Sequence, residues 1–254
     1  MHSWLARSSF CAWLLTSSLL GCSEPASSVN ESSQPSEPSE RTPTPGCRAP
    51  VGVSNSPHTI SEALTLINAL PKPLSLPCFL ESLARPLQIN ATYSLFSAQP
   101  AQGLRSPRIF VFQDPTLFSI VPEGDGAPLL EFGEQRPEFR SLKGEIVFPV
   151  AAPLEASAPF DKLMFSAQST TTTCGGCHAG ELQESVIAGV PTFVSVALRP
   201  RPQEQVTALS LRHELEICDR TLEPQRCAML DALMGWGEVT DRAFPTEMAT
   251  FGGP

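Results

Sequence analysis

The chain reads as an α+β protein: a β-rich sandwich or open barrel with an N-terminal helical clip and a C-terminal helical pair. Three observations predict this. Short apolar runs separated by turn residues recur between residues 87 and 198, the pattern of strands with frequent turns. Apolar residues at helical spacing occur only in short stretches nearer each end. Beyond residue 46, roughly 200 residues remain, enough for one domain with a real core.

The elements follow in order. Residues 1–21 hold a basic start (Arg7) and a short apolar run from Phe10 to Leu20, too short to span a bilayer as a mature helix. Residues 22–46 are mostly Ser, Pro, Glu and Thr. They cannot bury enough surface to offset the entropy of ordering, so they read as a disordered tether. Extended by proline, it would reach roughly 75 Å at ~3.1 Å per residue. A helix is expected from Thr59, where Thr59 and Glu62 fit a capping box. Ile60, Ala63, Leu64, Ile67 and Leu70 repeat at helical spacing, and Pro71 ends it. A second short turn is expected over 77–83. His58, just ahead of the first helix, reads as a surface residue.

Leu87, Ile89, Ala91, Tyr93 and Leu95 then alternate with polar residues, which is strand period. Further strands are expected over 109–112, 117–121, 129–132, 145–150, 163–165 and 192–198, with a turn at 122–126 joining two of them. Near the end, Ala208, Leu211, Leu215 and Cys218 share one helical stripe, and Cys227, Leu230 and Met234 a second that starts at Pro224. The body is thus divided at 47–203, β-rich, and 204–254, a helical subdomain packed on it.

The chemistry concentrates in Cys174-Gly175-Gly176-Cys177-His178. At this spacing two thiols can each add across a vinyl group of one haem while the next imidazole binds the iron. Gly175 and Gly176 add no bulk and allow positive φ, so the backbone can turn tightly against a flat ring. The motif resembles the haem-attachment site of c-type cytochromes. The resemblance implies covalent haem c on Cys174 and Cys177 with His178 as proximal ligand. It covers five residues and not the fold: Thr170 to Thr173 lead into the motif, and β-branched residues make a poor helix where familiar monohaem cytochromes have one. The other readings of the same residues are a Cys174–Cys177 disulfide or redox pair and part of a zinc site.

Leu19-Leu20-Gly21-Cys22 resembles the lipobox of bacterial lipoproteins. That resemblance implies cleavage before Cys22, a diacylglycerol on its thiol and a place in the cell envelope. Ser23 points to the outer membrane, facing the periplasm. Covalent haem is also attached outside the cytoplasm, so the two motifs agree. Of the eight cysteines, Cys11 leaves with the signal, Cys22 is the lipid site and two belong to the motif. Cys47, Cys78, Cys218 and Cys227 remain. Their nearest-neighbour pairing is Cys47–Cys78 and Cys218–Cys227, with other connectivities open.

The formal charge is −9, and loss of Arg7 makes it one unit more acidic. This argues against nucleic acid and anionic lipid as docking partners. It suits a basic redox protein partner or plain solubility. No Gly-rich phosphate loop, Gly-x-Ser-x-Gly or His-Glu-x-x-His is present, and no carboxylate pair stands out, so hydrolase chemistry is disfavoured.

The sixth iron position would decide the function: filled, it makes an electron carrier; open, it admits small ligands or peroxide. Met248 is the first candidate, because the run from Phe244 to Phe251 is similar to the Met-bearing loop of monohaem cytochromes. Met229, Met234 and His213 are alternatives that read better as helix core and as a surface residue. The expectation is a lipid-anchored, monohaem c-type electron carrier, with a peroxidase-like activity if the sixth position is open. The alternative is a haem-free binding or assembly lipoprotein of the envelope.

Overall fold

The computed structural model describes Thr44 and residues 46–95, 97, 99–166 and 169–251. The signal segment, Cys22 and nearly all of the tether lie outside the described residues.

Nine strands among the described residues form one mostly antiparallel sheet: β1 (Leu87–Thr92), β2 (Arg108–Gln113), β3 (Thr116–Ile120), β4 (Leu129–Arg136), β5 (Arg140–Val147), β6 (Leu182–Ile187), β7 (Val190–Val196), β8 (Gln205–Val206) and β9 (Val239–Asp241). The order across the sheet is β6-β7-β5-β4-β3-β2-β1-β8, and β9 joins β1 in parallel. The helices are α1 (Ile60–Ala69), α2 (Leu76–Glu81), α3 (Ala158–Asp161), α4 (Ala208–Glu216) and α5 (Pro224–Met234). The class is therefore the β-rich α+β architecture expected, with helices near both ends of the described chain.

Helix α1 starts as its sequence dictates. The Thr59 hydroxyl accepts from the Glu62 amide at 3.0 Å. The Glu62 carboxylate accepts from the His58 amide at 2.6 Å, one residue earlier than a standard capping box. Helices α1 and α2 belong to the main core rather than to an appended clip: Leu66, Ile67, Phe79 and Leu80 have no exposed surface. The Cys47–Cys78 disulfide ties the entering chain to α2, and Cys218–Cys227 joins the region after α4 to α5. From residue 204 onward the chain supplies β8 and β9 to the common sheet as well as α4 and α5.

The expected strand at 163–165 is absent. Met164 makes only an isolated bridge to Thr172, because Leu163 turns inward while Phe165 is 67% exposed. Strand β6 had no sequence signal, since its residues are almost all exposed.

Strand alternation gives the sheet two different faces. Ile89, Ile109, Val111, Phe118, Ile120 and Leu130 pack with α1, α2 and α5 in the main core. The cross-strand pairs Phe110–Ser119, Ser119–Glu131, Glu131–Glu145 and Gly133–Lys143 define the opposite face. A smaller apolar cluster of Leu95, Phe110, Phe112, Ala197, Phe244 and Met248 covers part of that face. The rest is open and forms a cleft.

Candidate functional site

The cleft is open at its mouth and encloses a cavity of about 130 Å3. Its floor is the polar face of β2–β5. One wall carries Cys174, Cys177 and His178, and another is the C-terminal loop with Phe244, Met248 and Phe251. The fold thus gathers all four residues that the sequence put forward for a haem centre into one cavity. The motif faces the sheet and this loop rather than the helical pair.

The motif wall is built locally. Thr172 caps a short 3-10 turn over Thr173–Gly176, its hydroxyl accepting from the Cys174 amide at 3.1 Å. The Cys177 and His178 amides both donate to the Cys174 carbonyl, at 3.0 and 2.8 Å. Glu181 holds Thr172 through its backbone N–H at 2.7 Å and through its hydroxyl. The glycines act differently from expectation. Neither Gly175 nor Gly176 has a positive φ; Gly180, just past the motif, does (φ 64°). Gly175 matters for room, because a Cβ there would sit 2.8 Å from the Glu181 carboxylate.

His178 is oriented by its own backbone surroundings. Its Nδ1 lies 2.9 Å from the Val196 carbonyl, at the end of β7. A carbonyl can only accept, so Nδ1 carries the proton and neutral imidazole presents an unprotonated Nε2. Burial, with Lys143 and Arg108 nearby, pushes the His178 pKa down to about 4. The side chain is therefore neutral at physiological pH, the form a metal needs.

Cys174 and Cys177 are free thiols, one half-buried and one exposed, whereas the other four described cysteines are paired. Burial, helped by Glu131, pushes the Cys174 thiol up to about 11. A redox-active thiol needs the reverse shift.

The Met248 loop is strapped to the strand exit. Arg199 donates from Nε to the Met248 carbonyl at 2.8 Å and from Nη2 to the Thr246 carbonyl at 3.2 Å. The Arg199 amide donates to Ala249 at 2.9 Å. Phe244 anchors the loop edge-on to Phe110 and tilted on Phe112, with ring centroids 5.4 and 5.0 Å apart. Met248 is 5% exposed. Met229 and Met234 lie in the main core instead. His213 is on the surface, facing Glu216 at 3.7 Å.

Sequence reasoning missed the floor. Arg108 donates to Ser119 at 2.7 Å and pairs with Glu131. Glu145 sits across from Glu131, and its carboxyl is raised by burial and by that neighbour. Lys143 donates to Ser141 at 2.6 Å. The available signal was polar alternation in β4 and β5, which reads as a solvated face until something covers it.

Among the described residues no group of three or more His, Cys, Asp or Glu is disposed to hold a metal ion. No helix there is long and apolar enough to cross a membrane. No protein-family model, curated protein or solved structure matches the chain.

Proposed function

We propose that this protein is a lipid-anchored, monohaem c-type cytochrome-like carrier of single electrons in the bacterial cell envelope. The observation that carries the reading is the meeting of Cys174, Cys177, His178 and Met248 around one cleft, although 70 residues of sequence separate His178 from Met248. Three further features fit a covalently held porphyrin. The two motif thiols are not joined to each other. His178 is neutral with Nε2 unprotonated. The cavity pairs an apolar wall with a polar floor. Haem would bring its own iron, so the protein would need to offer only the side chains that complete the iron's coordination.

When bound, haem supplies one-electron exchange at its iron. Cys174 and Cys177 would hold it, His178 would be the proximal ligand and Met248 the distal one. Val196 keeps the imidazole in one orientation, and the Arg199 strap fixes the loop that carries Met248. Phe110, Phe244 and Leu117 exclude water from the apolar side. Cys22 would carry the lipid anchor, most naturally at the outer membrane facing the periplasm, and the acidic chain would suit a basic redox partner. The raised Cys174 pKa bears only on the redox-pair alternative, since a reactive thiolate would need the opposite shift.

The test is a denaturing-gel haem stain with intact mass, on protein matured in a host that attaches c-type haem. A haem-sized mass increase is expected, and it should vanish in Cys174→Ala/Cys177→Ala. Unstained protein of polypeptide mass would overturn the reading. With haem loaded, Met248→Ala should abolish the Met-ligand absorption feature; an unchanged spectrum would indicate an open sixth position and peroxidase-like chemistry.

A further inference from the structure

We infer that Lys143 is a carboxylate-binding subsite of the cleft, placed to receive an acid group on a flat, otherwise apolar ligand. Lys143 lies on the β5 floor, keeps surface toward the cavity and is surrounded by protein on its other sides. Its ammonium donates to the Ser141 hydroxyl at 2.6 Å. It makes no ion pair among the described residues. The acids around it are committed elsewhere: Glu131 pairs with Arg108, and Glu181 is bound to Thr172.

An enclosed cation without a counter-ion is costly unless an anion completes it. The cleft supplies the means. Beside the polar residues, Phe110 and Leu117 of the same sheet face, with Phe244 and Met248 of the C-terminal loop, line an apolar side. A ligand that fills both sides is amphipathic, with an apolar planar body and a carboxylate end. Two sources share this chemistry: a porphyrin propionate, which rests on the haem reading above, and a free aromatic acid, which does not.

The experiment is a Soret titration of the mature chain with ferric protoporphyrin IX and with its dimethyl ester, on wild type, Lys143→Met and Lys143→Arg. The free acid should bind wild type at least about 10-fold tighter than the ester, equivalent to about 1.4 kcal/mol. Lys143→Met should erase that ratio and Lys143→Arg should keep it. Equal affinity for acid and ester in wild type, or a ratio that survives Lys143→Met, overturns the subsite. Should neither porphyrin bind, amide chemical shifts with 2-naphthoate decide, the haem reading itself being settled separately by the haem stain. Shifts on β5 that disappear in Lys143→Met would establish a subsite for a free organic acid; the absence of such shifts would overturn it. Circular dichroism of each variant separates lost binding from lost fold.

Discussion

On one side of the sheet Ile89, Ile109, Val111, Phe118 and Ile120 are fully enclosed. On the other, β2 and β3 present Arg108 and Ser119, and the neighbouring β4 and β5, whose Leu130 and Leu142 are buried on the first side, present Glu131, Ser141 and Lys143. Each strand therefore performs two tasks through period-2 alternation. The apolar face is packed by α1, α2 and α5 and supplies most of the stability. The polar face is covered only at its margins, by the motif segment and the Met248 loop, and is left with a cavity. The lesson is that stability and ligand chemistry are separable here residue by residue, so paired substitutions on one strand should tell them apart.

The largest separation is expected on β3. Phe118 has no exposed surface and packs against Phe79 and Phe132, with centroids 5.6 and 5.5 Å away. Phe118→Ala should cost about 3–5 kcal/mol of unfolding free energy. Its neighbour Leu117 points to the cleft and is only partly buried. Leu117→Ala should cost about 1 kcal/mol, measured by chemical denaturation. Equal losses would mean that the two faces are not distinct in energy.

The cysteines repeat the contrast. Cys47–Cys78 closes a separation of 31 residues and Cys218–Cys227 one of 9. Chain entropy makes them worth about 3.5 and 2.5 kcal/mol respectively. In haem-free protein, Cys174→Ala/Cys177→Ala removes thiols that bridge nothing and should cost under about 1 kcal/mol. A larger loss would give the motif thiols a structural role of their own.

How much of this was legible in sequence follows from the same two faces. Helix α1 was readable because Thr59, Glu62 and the apolar stripe act locally. The strands from β1 to β4 were readable because apolar alternation marks the packed face. The pairing of Cys47 with Cys78 and of Cys218 with Cys227 was readable as the nearest-neighbour choice. The floor was not. Arg108, Glu131 and Lys143 look like surface residues in sequence and come together through cross-strand register, which no local pattern encodes. Strand β6 failed for the opposite reason: its residues stay exposed, so it is defined by backbone pairing with β7 and not by hydrophobicity.

A smaller effect should separate the two walls of the cleft. The motif wall is held by many backbone bonds from the 3-10 turn and β7, whereas the Met248 loop depends heavily on Arg199. Arg199→Ala removes two side-chain bonds and should cost about 1–2 kcal/mol. Its signature should be local, with faster hydrogen exchange at the amides of Met248 and Phe251 and unchanged exchange at Cys177 and His178. Equal acceleration at both walls would mean that they open as one unit.

The smallest effect has the opposite sign and sharpens the comparison most. Burial on the cleft floor pushes the Lys143 ammonium down to about 8. In the unfolded chain it would titrate near 10.5. Between these values the unfolded chain binds more protons, so stability rises with pH across that window, and below about 8 the full penalty of enclosing the charge is present. Lys143→Met removes the charge and keeps an apolar stem of similar length. It should therefore leave the protein equally or slightly more stable at pH 7, and any gain should shrink as the pH rises from 8 toward 10.5. Thermal unfolding of wild type and variant across pH 7 to 11 measures this directly. A variant less stable than wild type at pH 7 would mean that Lys143 is a structural tie of the floor. A pH-dependent gain would mean that its charge is maintained at a cost to the fold, which is what a ligand-binding cation does and a packing residue does not.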